Sequence, residues 1–179
     1  MKKFITLALI GFFSFAFTQT TEEVARSTAP LQQMGDNEFK VNILYTALGI
    51  PEITYERLLN DNSGVGISAG FSIEKKEEMA YRYGITPYYR MYFGYRKASG
   101  FFIEANGIVL GHSYEDYNGT ETSLNSEVRT QFGLGAAVGG KFLSRNGLIG
   151  ELHGGLGRVF GDNSLGAYPR FGISLGKRF

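Results

Sequence analysis

The stretch GLGAAVGGKF, residues 133–142, supports two readings that lead to different proteins. Gly135, Gly140 and Lys141 spell G-x-x-x-x-G-K, most of a phosphate-binding loop. Such a loop needs a Ser or Thr hydroxyl after the lysine to hold magnesium, a strand before it and a helix after it. Phe142 stands where the hydroxyl is needed, and SRNG at 144–147 leaves no room for a helix. Read with a period of two, the same letters sort cleanly. Phe132, Leu134, Ala136, Val138 and Phe142 share one face of an extended chain, and Gly133, Gly135, Ala137, Gly139 and Lys141 share the other. The stretch reads as a strand.

The same alternation recurs along the chain from Phe39 to Phe179. Strand one carries Phe39, Val41, Ile43, Tyr45 and Ala47 on its apolar face. Strand two carries Ile53, Tyr55 and Leu59, with Arg57 as a misfit, and strand three runs from Val65 to Ile73. Strand four presents Ile85, Pro87, Tyr89, Met91 and Phe93; strand five presents Phe101, Ile103, Ala105 and Val109. Strand seven is the weakest, with Leu148, Leu152 and Leu156 set among glycines, and strand eight offers Pro169, Phe171, Ile173, Leu175 and Phe179. With the opening stretch as strand six, eight segments are expected. Pro87 and Pro169 each remove a ladder donor, so bulges are expected at both.

Composition agrees with a two-faced sheet. There are 25 glycines in 179 residues, about twice the usual share, and aromatics reach 15%. The mean hydropathy of −0.11 is not that of a bundle of apolar helices. The first residues, MKKFITLALIGFFSFAFTQT, have the charged start and short apolar run of a secretory signal, with cleavage expected after Thr18. Residues 19–38 are polar and aperiodic and read as a flexible periplasmic segment. Losing Lys2 and Lys3 with the signal turns 18 basic residues against 17 acidic into a slight acidic excess, which does not suit a nucleic-acid partner. With no cysteine, there is no disulfide frame, thiol chemistry or Cys-based metal site. No cofactor is expected.

Apolar and polar faces alone fit either a soluble barrel or a membrane barrel turned inside out. The connections favour the second. NDNSG (60–64), RKASG (96–100) and SRNG (144–147) are turn-rich and tight, whereas the links at 74–84, 111–128 and 160–167 are longer and polar. Membrane barrels alternate short periplasmic turns with longer outer loops, and in hydrocarbon the sheet must close because no edge can stay unpaired. The expected fold is therefore an all-β, eight-stranded antiparallel up-and-down transmembrane β-barrel over residues 39–179.

The final segment, FGISLGKRF, resembles the C-terminal strand signal of Gram-negative outer-membrane barrels, with Phe171, Ile173, Leu175 and the terminal Phe179 on one face. It departs from that signal at Lys177, where Tyr or an apolar residue is commoner. The whole layout is similar to the small barrels typified by the membrane domain of outer-membrane protein A and by outer-membrane protein X. KVNILYTALGIPEITYERLLN (40–60) looks closest to a family of small barrels of unassigned function. The resemblance implies an outer-membrane location, outer-membrane lipids as surroundings and delivery by the barrel assembly machinery. Eight strands suffice to close one chain, so a monomer is expected, with outer loops that could meet an extracellular ligand.

On the polar faces, Glu56, Glu104 and Glu151 oppose Arg90 and Arg170, with Lys40, Lys141 and Arg178 nearer the periplasmic mouth. An eight-stranded interior is just wide enough for side chains to fill, so these charges are expected to pair into a polar plug. Phe39, Phe93, Phe101, Phe142 and Phe179 fall at periplasmic strand ends and are expected to form an interface girdle. Arg57 is placed to snorkel to the same interface. His112 and Ser113 in GHSYED (111–116), with His153, are the one constellation that suggests a lipid A-modifying enzyme. Neighbours in a strand point to opposite faces, which argues against that pair. The expected function is a non-enzymatic structural or surface-interaction role. The alternatives are the lipid A enzyme, a narrow pore and a secreted soluble ligand-binding barrel.

Overall fold

A computed structural model of the protein describes residues 35–73, 81–114, 127–161 and 166–179. The expected signal sequence and most of the segment to residue 38 lie outside these residues, as do Glu115 and Asp116. Eight strands form one closed antiparallel barrel in sequence order. They are β1 (Asn37–Asn42), β2 (Glu52–Asn60), β3 (Ser63–Phe71), β4 (Tyr81–Tyr92), β5 (Gly100–Tyr114), β6 (Glu127–Leu143), β7 (Leu148–Phe160) and β8 (Ala167–Arg178). The seam is closed by β1 against β8, from Glu38 opposite Arg178 to Asn42 opposite Ser174. Phe179 and Asn37 extend it with reciprocal backbone hydrogen bonds of 2.9 and 3.2 Å. The end holding Asn37 and Phe179 is called lower below, and the opposite end upper.

Strand one ends earlier than the alternation suggests. Ile43–Ala47 form a short helix, α1, instead of the upper half of a strand. Two local signals override the alternation. Asn42 caps the helix, its side chain accepting from the Tyr45 N–H at 3.2 Å, and Gly49 leaves it in the left-handed region at φ 80°. Thr46 consequently faces solvent and returns a hydrogen bond to the Asn42 carbonyl at 2.7 Å.

The lower links are Asp61–Asn62, 93–99 and 144–147. In the first, the Asn60 side chain accepts from the Asn62 N–H at 2.8 Å, the local bond that makes Asn a turn residue. The segment read as a tight turn at 96–100 is in fact the end of the longer 93–99 link. The upper rim is uneven, because β5 and β6 have 15 and 17 residues while β1 has six.

Neither proline carries a bulge. Register shifts occur between Leu58 and Asn60 and between Tyr81 and Tyr83. The β4–β5 pairing skips Thr86 and Pro87 and resumes in the same frame at Tyr88. Pro169 lies above the last residue that β1 reaches, so the donor it lacks has no strand to serve. Its carbonyl instead accepts from the Tyr45 hydroxyl of α1, at 3.4 Å.

Alternation resolves the inside-out question. Phe142, Leu156, Phe132 and Leu134 point away from the lumen and are 62–70% exposed. Glu56 and Arg90 point into it and are at most 1% exposed. This is the reverse of a water-soluble ligand-binding barrel, which keeps its apolar face inside. Within the lumen, Leu58, Tyr92, Ala98 and Phe102 form a lower apolar cluster, and Leu110, Val159 and Tyr168 form an upper one.

Candidate functional site

Five buried carboxylates and five buried cations fill the lumen among the described residues: Glu38, Glu52, Glu56, Glu104 and Glu151 with Lys40, Arg90, Lys141, Arg170 and Arg178. Period two sends every one of these even-numbered residues on β1, β2, β4, β5 and β8, and the odd-numbered Lys141 and Glu151 on β6 and β7, to the inner face.

Arg90 is central. Its Nε donates to Glu104 at 2.7 Å, and its Nη1 reaches Glu151 at 2.8 Å and Glu56 at 3.2 Å. Its guanidinium also lies over the rings of Tyr88 and Phe102, 4.4 and 4.3 Å from their centroids. Glu56 is the densest acceptor. It takes Lys40 at 2.6 Å, Lys141 at 3.0 Å, the Tyr88 hydroxyl at 2.9 Å and the hydroxyl of Tyr92, which itself accepts from Lys141. Arg170 joins the network through Glu104 at 2.5 Å. The five residues Glu56, Arg90, Glu104, Glu151 and Arg170 thus lie in one connected group of ion pairs. Glu38 and Glu52, which the sequence reading did not single out, complete its charge balance. Glu38 holds Lys141 at 2.7 Å and Arg178 at 2.6 Å; Glu52 accepts from Asn42 at 3.0 Å.

A buried charge without a partner is strongly destabilising. The arrangement here meets that demand by matching carboxylates to cations one for one and adding tyrosine, asparagine and aromatic-face contacts. Chemically it is a cross-brace: it ties β1, β2, β4, β5, β6, β7 and β8 together through the lumen and gives each carboxylate at least one protein donor.

The lower mouth has its own closure. The end of the 93–99 link turns inward, burying Ala98 and Ser99, while Phe93 and Tyr95 stay exposed. Ala98 donates to the Asp61 carbonyl at 2.7 Å, and Arg178 donates to the carbonyls of Lys97 and Ala98 at 2.9 and 3.0 Å. Lys97 pairs with Asp36 at 2.7 Å, and that hydrogen bond and charge hold the Asp36 carboxyl below its ordinary range.

Among the described residues the two histidines lie at different levels of the barrel. His112 is buried near the top of β5. His153, on β7, lies opposite Gly139, which lies opposite Phe102 near the bottom of β5. His153 Nδ1 lies 3.4 Å from Glu151, at the edge of the ion-pair group.

Phe39, Phe93, Phe101, Phe142 and Phe179 all stand exposed at the lower ends of their strands, and the Phe93 and Phe101 rings lie 6.0 Å apart. Near the upper end, Tyr45 meets Phe171 edge-on at 5.1 Å and Phe132 tilts on Phe160 at 5.6 Å. Phe171, Ile173, Leu175 and Phe179 form one outward stripe on β8 and its end.

With closure, strand count and polarity established, the barrel is similar to the N-terminal β-barrel domain of Pseudomonas aeruginosa OprF, with a TM-score of 0.53. The likeness is one of fold. It covers 82% of this chain and 100% of that domain at 14% sequence identity. No protein-family model matches the chain, and no curated protein matches it.

Proposed function

We propose that the protein is a small outer-membrane barrel of a Gram-negative bacterium, with a closed lumen and a structural or surface-display role. The single observation that carries this reading is the polarity of the wall: exposed apolar side chains outside and a fully paired ion cluster inside. An apolar exterior of this extent needs lipid, and a closed sheet is the form of β-structure that hydrocarbon accepts. The OprF-like fold is in keeping with that setting.

In this reading the lower end is periplasmic and the longer upper links face outward. Two bands of aromatics mark the membrane interfaces, and the β8 stripe ending at Phe179 serves as the signal for the barrel assembly machinery. One chain closes one barrel, so the protein works as a monomer among outer-membrane lipids. The upper loops are its surface for any extracellular ligand. No catalytic residue is assigned.

The test is outer-membrane fractionation combined with a heat-modifiability gel and planar-bilayer recording. The expected result is an outer-membrane band whose mobility shifts on boiling, without conductance steps. Recovery from the soluble periplasm with no mobility shift would overturn the reading, and stable conductance would overturn the closed lumen.

A further inference from the structure

A spanning strand needs about 9–11 residues, and β1 has six. It pairs with β8 only from Arg178 up to Ser174, so Ala167–Ile173 stand above the point where the seam strand stops. Side chains take over part of that edge. Asn42 Nδ2 donates to the Phe171 carbonyl at 3.4 Å, the Tyr45 hydroxyl donates to the Pro169 carbonyl at 3.4 Å, and Pro169 has no N–H to satisfy. The wall is closed here by a helix leaning on a strand edge, without a ladder.

A cavity of about 310 Å³ lies at this place. It is lined by five consecutive residues of β8, Ala167 to Phe171. Of these, Tyr168 and Arg170 face the lumen, whereas Ala167, Pro169 and Phe171 face outward. Successive side chains of a strand lie on opposite faces, so one cavity can touch all five only by passing around the strand's edge. It is a lateral opening through the barrel wall. Leu48 and Ile50 line its α1 side, and Ile108 and Leu110 line its inner end. The aliphatic inner end belongs to the upper apolar cluster, and Glu52 and Arg170 of the ion network also border the cavity.

We propose that this opening admits one acyl chain of a lipid from the surrounding bilayer, its methylenes resting on Ile108 and Leu110. Three observations choose that occupant. The mouth opens on the apolar exterior beside Phe171, where the neighbours are lipid chains if the membrane reading holds. One side of the inner lining is aliphatic and aromatic, from Ile108, Leu110, Tyr81 and Tyr168, while Glu52, Thr86 and Arg170 bound the other side. The volume is at the low end for small-molecule pockets, which run about 300–1,000 Å³, and suits a single chain better than a whole lipid.

The inference rests on the outer-membrane reading, and the test separates the two. The chain contains no tryptophan, so single reporters can be introduced into the full-length protein folded in phosphatidylcholine vesicles with acyl-brominated or unbrominated chains. Tyr81→Trp reports from the upper lumen, where Tyr81 packs on the apolar cluster. Phe132→Trp reports from the lipid-facing wall, and Phe102→Trp from the fully buried lower lumen. The expected result is that bromination removes as large a fraction of the Tyr81→Trp fluorescence as of Phe132→Trp, and spares Phe102→Trp. Aqueous iodide should leave Tyr81→Trp unquenched. Quenching of Tyr81→Trp no greater than that of Phe102→Trp, or quenching by iodide instead of bromine, would overturn the acyl-chain site. Absence of bromine quenching in Phe132→Trp would overturn the membrane reading itself.

Discussion

Arg178 Nη2 donates to the carbonyl of Ala98 at 3.0 Å, joining the last strand to the β4–β5 link on the opposite side of the barrel. In a ring of eight strands, β8 and the β4–β5 pair lie across a diameter. The contact therefore spans the lower mouth. Ala98 is held at φ 42°, a left-handed conformation that costs a non-glycine residue about 1–3 kcal/mol and persists only where its surroundings impose it. The guanidinium fork supplies that constraint while its remaining N–H groups bind Glu38 at 2.6 and 2.9 Å.

Arg178→Ala should therefore act twice. It removes one of the three cations on buried Glu38, for which the loss of a buried partner predicts about 3–5 kcal/mol, and it frees the end of the 93–99 link. Arg178→Lys restores a charge near Glu38 but not the planar fork on two carbonyls. The expected outcome is that the lysine variant recovers most of the stability in denaturant unfolding, yet both variants become trypsin-sensitive at Arg96 and Lys97. Equal protection of the link in the wild type and both variants would show that the fork does not hold it.

The Asp36–Lys97 pair sets a pH dependence on the same closure. Lys97 lowers the Asp36 pKa, so the folded carboxyl binds its proton less readily than the unfolded one. The stabilisation is present above the ordinary aspartate value of about 3.9 and is lost as pH falls through the lowered folded value. Amide exchange across 93–99 should rise on acidification below that point, and Asp36→Asn should show the higher exchange at all pH values. An identical acid response in Asp36→Asn would place the titrating group elsewhere.

Strand number, order and facing were legible because period two survives even where the residues are unusual. The apolar set of the opening stretch needed only the observation that Phe142 falls in step with Phe132. Three features were not legible in that way. Ile43, Tyr45 and Ala47 alternate as a strand would, and only the Asn42 cap and Gly49 mark a helix. Glu38 and Glu52 share parity with Lys40 and Glu56, but each stands where its strand begins, so alternation counted from the apolar residues passes over them. The inward turn at Ala98 is met by Arg178, some eighty positions away, and no local pattern encodes such a contact.

The ion cluster predicts strong non-additivity. Arg90→Ala strips a cation from three carboxylates at once and should cost about 3–5 kcal/mol. Glu104→Ala should cost a similar amount, because it leaves Arg90 and Arg170 short of an acceptor. Removing both leaves fewer unmatched charges than the two single losses together, so the double variant should be more stable than additivity gives, with a coupling of about 0.5–3 kcal/mol. Heat-modifiability transitions or urea unfolding in vesicles measure each corner of this cycle. Strict additivity would mean the two residues do not act as one network.

Gly135 of the opening stretch and Gly157, its partner on β7, carry the last prediction. A Cβ on Gly157 would overlap the Tyr168 ring, and one on Gly135 would come within 2.6 Å of its hydroxyl. The ring occupies the space that these positions leave empty, and its hydroxyl donates to Asn106 at 2.6 Å. Gly157→Ala should overpack the upper lumen and cost about 1–3 kcal/mol. In a Tyr168→Ala background the same substitution should cost little, because the three nearest atoms to the new methyl all belong to Tyr168. Gly154→Ala, on the same strand but with nothing near its Cβ position, should stay within about 0.5 kcal/mol of wild type. Urea unfolding of the four variants tests the point directly: an undiminished cost of Gly157→Ala without the Tyr168 ring would assign the requirement for glycine to the backbone instead of the ring.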